Sequence, residues 1–132
     1  LQSHSTSNPT SIAQKAAVEA VKGSQEGIGV MLAEYRKRRD FVIDRLRQIP
    51  GVSLQVPQGA FYVYPDISVT FGKAGIHNTM DFCEKLLAEA HVAVVPGEAF
   101  GTEKHIRISY ATSMHELERG LDRLHKFITE LA

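Results

Sequence analysis

Apolar residues recur along this chain at two spacings, three-to-four and two, and the switches between them mark out its elements. After a polar, turn-forming opening, Ser3-His4-Ser5-Thr6-Ser7-Asn8, Pro9 leads into a segment from Ile12 to Val21. There Ala13, Ala16, Ala17 and Ala20 predict a helix with a small-residue face. Ser7 or Asn8 is placed to cap it, with Pro9 in its first turn. Gly23-Ser24 breaks the pattern, and a longer helix is expected over 26–48. It carries Ile28, Met31, Leu32, Tyr35, Val42, Leu46 and Ile49 along one side and stops at Pro50-Gly51. At 1.5 Å per residue such a helix is roughly 33 Å long, the length of a spine joining two bodies.

Shorter, extended pieces follow. Val52 to Val56 and Phe61 to Tyr64 read as strands separated by Pro57-Gln58-Gly59. A loop is marked by Pro65-Asp66 and by the glycines at 72 and 75. Asn78 or Thr79 is a cap for a third helix running to Ala90, with Phe82, Leu86 and Leu87 on it. His91 to Val95 reads as a buried strand closed by Pro96-Gly97. His105-Ile106-Arg107-Ile108-Ser109-Tyr110 alternates as a half-buried strand does. Ser113 with Glu116 makes a capping box for a last helix bearing Leu117, Leu121, Leu124, Ile128 and Leu131. The order helix, helix, strand, strand, helix, strand, strand, helix predicts an α/β sandwich. Its short sheet, mixed or antiparallel, is layered by helices that include the long linking one.

Charge changes little in this picture. Fifteen basic and fifteen acidic side chains cancel among 132 residues, so no net field recruits nucleic acid or an anionic membrane. The basic run Arg36 to Arg39 sits in a helical pattern beside Glu34 and Asp40 and reads as a solvated face. No apolar run reaches the ~18 residues of a membrane span. The single cysteine, Cys83, has no internal partner for a disulfide; it reads as a small core residue and points to a reducing, cytoplasmic setting. The six histidines, at 4, 77, 91, 105, 115 and 125, form no helical i, i+4 pair, so no metal site is expected.

Chemistry is concentrated on the alternating strand. Ile106, Ile108 and Tyr110 share one face, the expected core side, while Arg107 and Ser109 share the other. A guanidinium in apolar surroundings needs a partner, since an unpaired buried charge costs several kcal/mol. Three readings follow: a site for an anion whose geometry matches the fork of donors, a non-catalytic module holding an amino acid or organic acid, or an internal ion pair with a carboxylate such as Glu98.

The stretch Val92-Ala93-Val94-Val95-Pro96-Gly97, then Phe100-Gly101, then Ile106-Arg107-Ile108-Ser109-Tyr110-Ala111, resembles the carboxy-terminal signature of class I aminotransferases, the fold-type I enzymes that use pyridoxal phosphate. Gln58-Gly59-Ala60-Phe61-Tyr62-Val63-Tyr64-Pro65 is similar to the family's glycine-aromatic strand beside the active site. Ser5 to Gln14 resembles its segment shortly downstream of the cofactor lysine. The resemblance, closest to the aspartate aminotransferases, spans nearly the whole chain. It implies that Arg107 grips a substrate α-carboxylate, with Phe61 or Tyr62 lining the pocket. It implies that Ser7 approaches the cofactor of a partner subunit in a homodimer, and that the Gly97–Gly101 loop shifts on substrate closure. It also implies a division: 1–23 as an interface segment and a helix of the large domain, 24–132 as the small domain. The parent enzyme would exchange an amino group between an amino acid and a 2-oxo acid. None of the seven lysines, at 15, 22, 37, 73, 85, 104 and 126, follows the serine-rich strand end of the family's Schiff-base motif. No catalytic residue is therefore expected here, and no turnover or bound pyridoxal phosphate in the chain alone.

Overall fold

The structure, a computed structural model, describes His4 and residues 7–131. Contacts group the chain into two units, Leu1–Ala33 and Glu34–Ala132, that divide within one long helix.

In the first unit, α1 spans Ser11–Lys22. Its cap is neither Ser7 nor Asn8 but Thr10, whose hydroxyl accepts from the Ala13 amide at 3.3 Å. Pro9 stays outside the first turn, and its carbonyl takes the Gln14 side chain at 2.9 Å instead. The hydroxyl three residues ahead of a free amide wins this position, as capping geometry requires. No residue of α1 is buried in this chain. The helix is expected to be covered by another chain or by its own domain; no covering surface is found among the described residues of its unit.

Helix α2, Glu26–Arg47, enters the second unit with Val42, Ile43 and Leu46 buried. The continuous apolar side expected of it is buried only towards its end, where it meets core partners. Ile28, Met31 and Leu32 stay exposed.

The second unit's sheet has three antiparallel strands in the order β1-β3-β2, from β1 (Tyr62–Val63), β2 (Val95–Pro96) and β3 (Ile106–Ser109). Tyr62 opposes Ser109 and Val63 opposes Ile108; Val95 opposes Arg107 and Pro96 opposes Ile106. Two expected strands are shorter than their apolar runs. Of Val52 to Val56, only Ser53 bridges, to Asp66, and the Pro57–Gly59 turn carries the rest away. Of His91 to Val95, only Val95 joins the ladder. His91 adopts the left-handed conformation (φ 56°) that closes helix α3, Thr79–Ala90, so the next residues leave the helix without reaching the sheet.

Two helices cover the sheet's inner face: α3, capped by Asn78 through the Asp81 amide at 2.8 Å, and α4, Met114–Glu130. The Ser113 hydroxyl caps α4 by accepting from the Glu116 amide. Leu117, Leu121, Leu124 and Ile128 are buried as the spacing predicts, and Phe127 joins them edge-on to Phe82 at 5.6 Å between centroids. Val63, Ile106 and Tyr110 come from the sheet to the same cluster, and α2 is tied to α4 by the Arg45–Asp122 ion pair. At roughly 1.5–3 kcal/mol for each fully buried large side chain, this cluster is what holds the sheet's other face in place.

Candidate functional site

The sheet's alternation turns Ile106 and Tyr110 into the core and leaves Arg107 half-buried and Ser109 exposed on the opposite face. Tyr110 anchors the strand's end: its backbone amide donates to the Phe61 carbonyl at 2.8 Å, and its phenol donates to the Ala60 carbonyl at 3.1 Å. These bonds fix β1 beside β3 and bring Tyr62 to Arg107. The guanidinium carbon lies 5.4 Å from the Tyr62 ring centre and 4.6 Å from that of Phe100. Phe61, half-exposed, stands edge-on to Tyr62 at 5.7 Å.

Phe100 belongs to a short 3-10 turn, Gly97–Phe100, that follows β2 directly. The turn expected to shift is pinned at several points. The Gly97 amide donates to the Thr79 hydroxyl at 3.2 Å, and the Gly97 carbonyl accepts from the Thr102 amide at 3.1 Å. The Tyr64 hydroxyl lies 2.5 Å from the Thr102 hydroxyl and donates to the Gly97 carbonyl at 3.3 Å. A side chain at Gly97 would meet the His105 carbonyl at 2.3 Å, so the approach of turn to strand needs glycine there.

The ion-pair reading of Arg107 with Glu98 does not hold. The Glu98 carboxylate is taken by the Thr79 hydroxyl, and that bond, ahead of the backbone amides of Glu98, Thr79 and Met80, holds its carboxyl below the usual value against a smaller upward push from burial. Among the described residues, Arg107 makes no hydrogen bond or ion pair. It is held by π faces, which attract a cation without consuming its donors. Among the described residues its N–H groups therefore stay open, and their fork matches the geometry of a carboxylate.

Beside it, Tyr64 stacks on His105 at 4.9 Å and 10°, and both line a cleft of about 430 Å³ with Tyr62, Asp66, Leu54 and Gln55. Burial pushes the Asp66 carboxyl up, yet the Ser68 hydroxyl and amide, with His105 and Lys104 nearby, hold it below its ordinary value. Tyr62 lies against Arg107 and lines the cleft, whereas Phe61 packs on Tyr62 and is not among the residues that line it. Ser7 lies exposed ahead of α1, in the other unit. Phe100 packs on Arg107 and Tyr64 on Phe100, contacts the sequence does not reveal, since neither spacing nor alternation links these residues to Arg107.

Lys37, Lys85 and Lys126 face Glu34, Glu89 and Glu130 on helix surfaces, and Lys15, Lys22 and Lys104 are exposed. Among the described residues no group of three or more His, Cys, Asp or Glu side chains could hold a metal ion, and no helix is long and apolar enough to cross a membrane.

Residues 1–124, which take in the helix-covered antiparallel sheet and Arg107, match the family model of aminotransferase class I and II: the chain belongs to that family. It is 46% identical over 128 residues to the aspartate aminotransferase of Geobacillus stearothermophilus, covering 97% of this chain and 33% of that protein. Its fold superposes on the aspartate aminotransferase of Rhizobium meliloti with a TM-score of 0.92 and 42% identity, over 99% of this chain and 34% of that one. The alanine aminotransferase of Pyrococcus furiosus is similar at a TM-score of 0.85 and 35% identity, over 92% of this chain and 30% of that one. The chain spans about a third of the length of the curated relatives it matches.

Proposed function

We propose that this chain is the substrate-carboxylate-binding part of a pyridoxal-phosphate-dependent aminotransferase, resembling the aspartate aminotransferases, that moves an amino group between an amino acid and a 2-oxo acid. The observation that carries this reading is Arg107, half-buried among aromatic rings with its donors unspent, in a chain of this family. Arg107 would bind the α-carboxylate of either substrate in its plane and so orient the α-carbon. Phe61 and Tyr62 would form the apolar wall beside it and keep water from the contact. Pyridoxal phosphate, when bound, supplies the electron sink for breaking a bond at that carbon.

The residues present fit the substrate's carboxylate but not the cofactor's anchorage, because the lysines lie exposed, in helix-surface pairs, or in the half-exposed turn at Lys73. We therefore place the Schiff-base lysine and the phosphate-holding donors in the length of relatives that this chain does not span. Residues 1–23 would belong to the large domain, 24–132 to the small one. Ser7 would approach the cofactor of the second subunit of a homodimer. The cytoplasm is the compartment that suits such an enzyme and a lone thiol.

Arg107→Ala in the enzyme carrying this chain is the test. A charge-assisted bond is worth about 1.5–3 kcal/mol, so the specificity constants for L-aspartate and for 2-oxoglutarate should both fall by about one to two orders of magnitude. Arg107→Lys should recover little, because an ammonium lacks the fork. Unchanged constants for both substrates would remove Arg107 from the site. The 132-residue chain alone should show no transamination with added pyridoxal phosphate, and borohydride should fix the cofactor to none of its lysines.

A further inference from the structure

Phe100 is an aromatic side chain that the core does not use. It is 46% exposed, on a turn rather than on a strand or helix. An exposed phenylalanine gains little from burial, so its place has to be explained by what it touches. Its ring faces the Arg107 guanidinium at 4.6 Å, closer than Tyr62, and stands edge-on to Tyr64 at 6.0 Å. The turn under it is held from both sides. Gly97 is locked by Thr79, Thr102 and Tyr64, and the Gly101 amide donates back to the Glu98 carbonyl at 3.2 Å. Gly101 itself takes the left-handed conformation at φ 78°, which closes the turn directly after Phe100.

Such a rigid mount is more than an apolar surface residue needs. It serves a geometric purpose when the ring must meet a side chain that has no other fixed partner. Arg107 has several rotatable bonds, and among the described residues nothing but aromatic faces restrains its head. A carboxylate in the same place would restrain it as well, but would occupy the donors and cancel the charge. A ring does neither.

We propose that Phe100 is a positioning residue for Arg107: its ring, mounted on the pinned Gly97–Gly101 turn, pre-orients the guanidinium so that it recognises a negatively charged carboxylate rather than a neutral isostere. The proposal rests on the reading of Arg107 as the carboxylate-binding group. Orientation lowers the entropy lost when the ligand binds, and the benefit is confined to ligands that use the fork.

The test uses the enzyme carrying this chain and two probes, L-aspartate and its α-amide, which differ at the group Arg107 would hold. Dissociation constants are taken from single-turnover half-reactions or from competition. Phe100→Leu keeps an apolar side chain and removes the π face; Phe100→Tyr keeps the face. With leucine, L-aspartate should bind about three- to ten-fold more weakly, the α-amide should change by less than about two-fold, and tyrosine should restore the wild-type values. A structural defect alone would weaken both probes alike and would not be rescued by tyrosine. If Phe100→Leu leaves L-aspartate binding intact, or weakens acid and amide equally, the positioning role is overturned. Arg107→Ala in parallel separates the two failures. If it leaves L-aspartate binding unchanged, the carboxylate reading itself falls. If it weakens L-aspartate while Phe100→Leu does not, only the role of Phe100 falls.

Discussion

Replacing Gly97 by alanine places a methyl group where the backbone of two other segments already stands. The added Cβ would sit 2.3 Å from the His105 carbonyl oxygen, 2.6 Å from that of Thr102 and 2.7 Å from the Thr102 hydroxyl. None of these yields cheaply. His105 is next to Asp66 in an antiparallel bridge, and Thr102 is bonded to both Gly97 and Tyr64. Overpacking of this kind costs about 1–3 kcal/mol, and opening the Thr79 or Tyr64 bond to relieve it costs about 1 kcal/mol more. Gly97→Ala should therefore destabilise the second unit by about 2–4 kcal/mol. Gly120→Ala is the matched control: its Cβ meets nothing within 4 Å on helix α4, so it should stabilise by about 0.5–1 kcal/mol through helix propensity. Urea unfolding followed by tyrosine emission is the assay. There is no tryptophan, and all four tyrosines (35, 62, 64 and 110) lie within Glu34–Ala132, so the signal reports that unit. A Gly97→Ala protein within about 0.5 kcal/mol of wild type would refute the close-approach argument and, with it, the rigidity assigned to the turn.

Two further outcomes follow from the titrating groups. The Thr79 hydroxyl is the main cause of the depressed Glu98 carboxyl, so Thr79→Val should raise the Glu98 pKa towards the ordinary carboxylate value, read by NMR titration of the side chain. A depressed carboxylate stabilises above its unfolded pKa, so in wild type this contribution fades as pH falls through the folded value, and Thr79→Val should weaken that dependence, leaving the share due to the backbone amides. Burial pushes the Cys83 thiol up to about 11, leaving about one part in a thousand as thiolate at pH 8. Iodoacetamide should label it only as fast as the unit unfolds; rapid labelling in native buffer would contradict its place on the buried face of α3.

The helices were legible because local chemistry decides them. Asn78 and Ser113 are caps whose partners lie three residues away, and Leu117, Leu121 and Leu124 repeat at the period of the helix they build. The strands were less so. Val92, Ala93 and Val94 form an apolar run, but an apolar run says that a segment is covered, not that it pairs, and the left-handed turn at His91 decided the matter. Arg107 stood out through alternation on its own strand. Its partners did not, since Tyr62 reaches it across a ladder and Phe100 through a folded turn, relations no spacing encodes. Thr10 shows a smaller limit of the same kind: three neighbouring residues offered a capping side chain, and only the backbone's entry angle selected one.

The strand order β1-β3-β2 has a consequence for synthesis. Each outer strand has β3 as its sheet neighbour, and β3 is the last of the three to leave the ribosome. Until Ser109 has emerged, β1 and β2 are unpaired edges with no template, and their apolar faces wait on a segment still in the exit tunnel. The strand that completes the ladder is also the one that bears Arg107. A nascent chain thus acquires its sheet and its open guanidinium in the same event, and a product cut short before Ile106 has neither.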